Sequence, residues 1–93
     1  MNATKSTEAT VVDGGLAVAF EFIAAGQVVK CTVSRESLQY YFWLQPGADD
    51  AHVLKIFNDG RQRIVAVAER KARRLGAASI HLEAADFQRQ ARR

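Results

Sequence analysis

VVKCTVSRESL, residues 28–38, changes its period halfway along, and that change decides the fold. Through Val33 the apolar residues alternate: Val29, Cys31 and Val33 share one face of an extended strand, and Val28, Lys30 and Thr32 take the other. From Ser34 onward the alternation stops. The serine hydroxyl is placed to accept from an orphan amide of a helical first turn, and Glu36 suits the positive end of a helix. A strand therefore passes directly into a helix at Ser34. Cys31, the one cysteine of the chain, lies on the strand face shared with Val29 and Val33.

Upstream, LAVAFEFIA (residues 16–24) alternates in the same way. Leu16, Val18, Phe20 and Phe22 occupy one face, with Ala17, Ala19, Glu21 and Ile23 on the other, which is only partly polar. AAGQ, with Gly26 free to take a positive φ, predicts a hairpin loop between the two strands. The preceding residues 1–14 are polar, small and without period, and read as a mobile leader. Downstream, the first helix is expected to run through Leu44, before the Gln45-Pro46-Gly47 breaker. Asp49 or Asp50 then caps a second helix reaching Leu75, with Gly76 as its C-terminal stop. Along that helix Val53, Phe57, Gly60, Ile64, Val67 and Leu75 form one apolar stripe, widened by Ile56 and Ala68. Gly60 costs the helix about 1 kcal/mol, and its predicted use is to let another element approach the backbone. SIHLE (residues 79–83) reads as a third strand with Ile80 and Leu82 inward. Ala84–Phe87 forms a last turn, with Phe87 as an apolar plug.

The element order is β-β-α-α-β. Its simplest layered solution is an α+β domain over residues 15–88: an antiparallel sheet of about three strands with two helices on one face, followed by a basic tail at 89–93. Taken together, Phe20, Phe22, Gly26, Cys31, Val33, Ser34 and Leu38, then Phe57, Arg61 or Arg63, Ile64, and finally Asp86 and Phe87, carry a resemblance. In order and spacing they resemble a small bacterial protein family, domain of unknown function 1488. The resemblance covers roughly residues 16–87 and implies a fold; the family brings no activity, and the matching residues read mostly as fold determinants. The polar leader and the arginine-rich tail stand outside it.

Several function classes find little in the sequence. With one cysteine there is no internal disulfide, which points to a reducing, cytoplasmic setting. The apolar run at residues 14–26 is interrupted by Glu21 and is shorter than the roughly 20 residues a membrane span needs, so no membrane role is expected. Cys31 as a nucleophile would need exposure and a group that lowers its pKa; its strand parity predicts a buried side chain. A Cys31–His81–Asp86 triad conflicts with the same parity, because His81 alternates with Ile80 and Leu82 and points away from the core face. Cys31, His52 and His81 have no zinc-ligand spacing and fall one short of a tetrahedron. The sequence holds no phosphate loop, dinucleotide fingerprint or nucleophile elbow. The expectation is a non-catalytic protein with no cofactor and no metal.

Two features remain as candidates for binding. The net charge of +3 conceals a split: residues 1–60 carry −3, and residues 61–93 carry +6. Arg63, Arg70 and Arg74 stack along the second helix with Arg73 beside them, and Arg89, Arg92 and Arg93 extend the basic region into the tail. Such a row could neutralise nucleic-acid phosphates. Equally, Asp59–Arg63 and Glu69–Arg73 have the i,i+4 spacing of a solvated, ion-paired helix. The second feature is Tyr40-Tyr41-Phe42-Trp43. With Leu38 inward, Tyr41 and Phe42 follow it, while Tyr40 and Trp43 turn outward as interface anchors. Together with open sheet edges they suggest a small interaction module that forms a homodimer or binds another protein. Nucleic-acid association through the arginines is the alternative.

Overall fold

A computed structural model describes residues 9–91. Its sheet contains four strands in the order β1 (Thr10–Val12), β2 (Ala17–Ala24), β3 (Gln27–Ser34) and β4 (Ser79–Leu82). The helices are α1 (Arg35–Tyr41), α2 (Asp50–Asp59), α3 (Arg61–Leu75) and α4 (Ala84–Ala91). The α+β class and the β2–β3 hairpin agree with the sequence pattern; four details differ.

The first is β1. Residues 10–12, expected in the leader, pair antiparallel with Ala17–Ala19. Thr10, Val11 and Val12 are all β-branched and suited to a strand. Asp13, Gly14 and Gly15 reverse the chain with φ of 55°, 64° and 94°, angles two glycines make accessible. Leu16, expected inward, is 66% exposed just after this turn. Residues 1–8 of the expected leader lie outside the described residues.

The second difference is direction: β4 runs parallel to β3, with Lys30 opposite Ser79 and Val33 opposite Leu82. The helices between them return the chain to the hairpin end of the sheet, where the Lys30 amide donates to the Ala78 carbonyl (2.8 Å). Third, the long helix is two. Gly60 takes φ −103°, ψ 13°, closing α2 with its amide on Ile56 and Phe57 while its carbonyl starts α3 by accepting from Ile64. Fourth, the expected last turn is a helix of eight residues, α4.

The caps follow the sequence. Ser34 Oγ accepts from the Ser37 amide at 3.1 Å, Asp49 Oδ1 from His52 at 3.0 Å, and Gly76 ends α3 in the left-handed region at φ 64°. On the inner face, Val18, Phe20, Phe22, Val29, Cys31 and Val33 form one core with Leu38, Val53, Phe57, Ile64, Val67 and Phe87. Phe57 and Phe87 are fully buried, each contributing about 2–3 kcal/mol. Leu75, expected on the stripe, is 56% exposed at the last turn of α3. The domain measures 37 × 36 × 21 Å. The shortest dimension is that of one sheet and one helix layer; on the sheet's second face Ile23, Val28 and Lys30 are exposed, while Ala17 at the start of β2 is buried.

Candidate interaction surfaces

Strand parity disposes of Cys31 first. The residue is buried, its thiol donates weakly to the Thr32 carbonyl at 3.6 Å, and burial pushes its pKa up to about 12. Nearby Lys71 pulls the other way and Asp86 reinforces the rise. His81 is on the opposite face of the sheet, its Nδ1 2.6 Å from Thr32 Oγ1, and Asp86 is engaged by Lys71 at 3.0 Å. The three side chains are not brought together. His52 is exposed at the start of α2, and among the described residues no three His, Cys, Asp or Glu side chains converge on a common point.

A thiol held neutral in the folded state links stability to pH. The unfolded thiol ionises near 9.0 and the folded one near 12, so its contribution is complete below pH 9 and is lost as pH rises towards 12. Over that window the folded state holds one proton more, and stability falls by about 1.4 kcal/mol per pH unit. Denaturant midpoints at stepped alkaline pH should show that slope in the wild type. It should be missing from Cys31→Ala; the same slope in both proteins would assign it to other groups.

Tyr40 and Trp43 stand at the end of α1. Leu38 and Phe42 are buried on the inner side, Tyr41 stacks on Phe87 at 6.1 Å, and Tyr40 and Trp43 are 67% and 83% exposed. The helix ends at Tyr41 rather than Leu44 because Trp43 is left-handed, φ 60°. The Leu44 amide turns back to the Leu38 carbonyl at 3.1 Å, and Leu44 enters the core. A left-handed non-glycine residue costs about 1–2 kcal/mol.

The arginines divide. Arg63 lies over the Phe42 ring at 4.8 Å instead of pairing with Asp59, which Lys55 holds at 3.2 Å. Arg61 lies over Phe57 at 5.3 Å. Arg70, Arg73 and Arg74 are exposed, and the last two sit in the final turn of α3, where positive charge complements the helix dipole. Glu69 and Arg73 form no ion pair. Arg89 falls in α4, and Arg92 and Arg93 lie outside the described residues.

Sequence reasoning missed two polar networks and one surface. Arg35 donates to the carbonyls of Gly15 (3.1 Å), Ala48 (2.7 Å) and Pro46 (3.2 Å), tying two loops to α1. Lys71 donates to the His81 carbonyl and to Asp86, whose carboxylate also accepts from the Glu83 amide at the start of α4. Nothing in local spacing announces partners so far apart in the chain. The missed surface is the sheet's outer face, where Glu21 stands opposite Lys30 and Ile23 opposite Val28. Its signal was present in the apolar Ile23 and Val28 on the second face of their strands.

No helix among the described residues is long and apolar enough to cross a membrane. No curated protein and no solved structure matches the chain. A family model described as "Protein of unknown function (DUF1488)" matches residues 6–82. The strand, cap and helix residues from Phe20 to Ile64 that carry the resemblance fall inside that span, while Asp86 and Phe87 lie beyond it. With most of its length covered, the chain belongs to the DUF1488 family.

Proposed function

We propose that this chain is a small, non-catalytic protein-interaction module that self-associates, with Tyr40 and Trp43 as its anchor for protein contact. One observation carries the reading: Trp43 is 83% exposed in a backbone conformation that favours glycine. A large indole in that position contributes little burial to the fold and adds backbone strain, whereas desolvating it against a partner recovers the apolar area of its ring. Tyr40, one helical turn earlier, widens the same surface. The nucleic-acid alternative rests on Arg70, Arg73 and Arg74, which are exposed, and on Arg63, whose guanidinium lies over Phe42.

Replacing the indole separates folding from binding. Trp43→Gly should leave stability unchanged or raise it by up to about 1 kcal/mol, because relief of strain offsets the entropy of a new glycine. The same variant should lose the proteins that the wild type retains specifically from its native cell. A stability loss above about 1 kcal/mol would make Trp43 a fold residue and remove the anchor. Retention of nucleic acid that is salt-sensitive and indifferent to Trp43→Gly would favour the arginines instead.

A further inference from the structure

We propose that the outer face of the sheet is a two-fold interface with a second copy of this chain. The inference rests on the self-association reading and names its surface, which leaves Tyr40 and Trp43 for a different protein.

The face carries three features that suit a copy of itself. It is apolar where an uncovered face is ordinarily polar: Ile23 and Val28 are 57% and 47% exposed and stand directly opposite one another in the β2–β3 register. Alternation in an antiparallel sheet with one solvated face would put polar residues at both positions. It is also electroneutral across β2 and β3. Their charged outer-face residues are Glu21 and Lys30, one of each sign and again directly opposite, on a chain whose net charge is +3. The chain's positive excess is carried after residue 60, chiefly on α3, in the helix layer.

The third feature is symmetry. Consider a two-fold axis lying in the interface, along the strands and midway between β2 and β3. It places β2 of one copy over β3 of the other without shifting residues along the strand. Because Glu21 pairs with Lys30 and Ile23 with Val28 in the same register, that rotation sets each Glu21 over the second copy's Lys30. It likewise sets each Ile23 over the second copy's Val28. The contact is isologous and closed, and the two sheets stack at the usual sandwich spacing of about 10 Å. A face about eight residues long and four strands wide, its outer strands being short, covers roughly 400 Å² per copy. A standard interface covers about 800 Å² per partner, so the dimer is a reversible one that assembles with concentration.

Charge reversal tests the geometry, with sedimentation from micromolar to millimolar concentration as the readout. Wild type should shift from monomer to dimer. Glu21→Lys turns the face basic and Lys30→Glu turns it acidic, so each variant alone should weaken self-association at least about tenfold. An equimolar mixture of the two should associate again, a rescue that no change within a single chain produces. Ile23→Thr, which keeps a β-branched residue in the strand, should weaken the wild-type dimer without changing the far-ultraviolet circular dichroism. A wild type that stays monomeric throughout, with some other protein or a lipid on this face, overturns the self-association reading and the inference with it. A wild-type dimer that both charge variants preserve, or that Trp43→Ala abolishes, overturns the inference alone. So does a mixture of folded, monomeric variants that fails to associate.

Discussion

Gly60→Ala should destabilise the domain by about 2–3 kcal/mol, the reverse of what helix propensity implies. The φ of −103° is open to any residue, and alanine favours helix over glycine by about 1 kcal/mol. The obstacle is the Phe42 ring. A Cβ built on Gly60 would lie 2.5 Å from Phe42 Cδ2 and Cε2, well inside van der Waals contact. The ring has little freedom to withdraw: Phe87 meets it edge-on at 5.6 Å, Arg63 covers it at 4.8 Å, and only 9% of the residue is exposed. An added methyl group must expel Phe42 or separate α1 from the α2–α3 joint. Chemical denaturation of Gly60→Ala alone and combined with Phe42→Leu would measure the effect. In the leucine background, which lacks the ring, the glycine substitution should cost markedly less, a coupling that a purely local helix effect would not produce. Equal costs in both backgrounds would remove the clash as the cause.

The second large effect is expected at Asp86. Its carboxylate receives Lys71 Nζ at 3.0 Å and the Glu83 amide at 2.8 Å, while the same ammonium donates to the His81 carbonyl at 2.7 Å. The side chains of Lys71 and Asp86 are only 20% and 15% exposed. Asp86→Ala therefore leaves a largely enclosed ammonium without its counter-charge and the first turn of α4 without its cap. Removing one partner of a fully buried pair costs about 3–5 kcal/mol; with residual solvent access, about 2–3 kcal/mol is expected. Asp86→Asn keeps an oxygen for the amide and should recover part of the cap while leaving Lys71 unpaired. Lys71→Met keeps the apolar stem, so the Asp86→Ala, Lys71→Met double variant should be more stable than the sum of the single losses. Strict additivity in urea unfolding would show that the pair contributes nothing beyond its separate hydrogen bonds.

Both effects arise from contacts between elements, and that is where sequence reasoning thinned out. Period-two burial in β2 and β3, the Ser34 cap, a cap at Asp49 or Asp50, the Gly76 stop and the burial of Cys31 and Phe87 were all legible. Each depends on residues within one turn or one strand of each other. The same parity rule correctly put His81 opposite Cys31 and so denied them a shared site. Strand β1 was missed because three β-branched residues beside Asp13-Gly14-Gly15 were weighed by the polar stretch before them rather than by the turn that follows. The expected long helix failed at one position: the apolar stripe ran through Gly60, and the close approach expected there is made by Phe42, a partner that no local spacing names.

Of the candidate surface, the outward turn of Tyr40 and Trp43 came from helical spacing after Leu38. The left-handed backbone that isolates the indole came from Leu44 returning to the core. The arginine row was visible as charge, but its use was not: Arg63 lies over an aromatic ring from another helix, and Asp59 chose Lys55. The sequence alone determined the strands of the hairpin, the caps and the inner face, because backbone sterics, hydrogen bonding and side-chain alternation act over a few residues. Tertiary structure alone decided the parallel β4, the break at Gly60, the Lys71–Asp86 link and the exposure of Ile23 and Val28 on the outer face. Those depend on which distant side chain fills a given space, and a contact between residues far apart leaves no period in the chain.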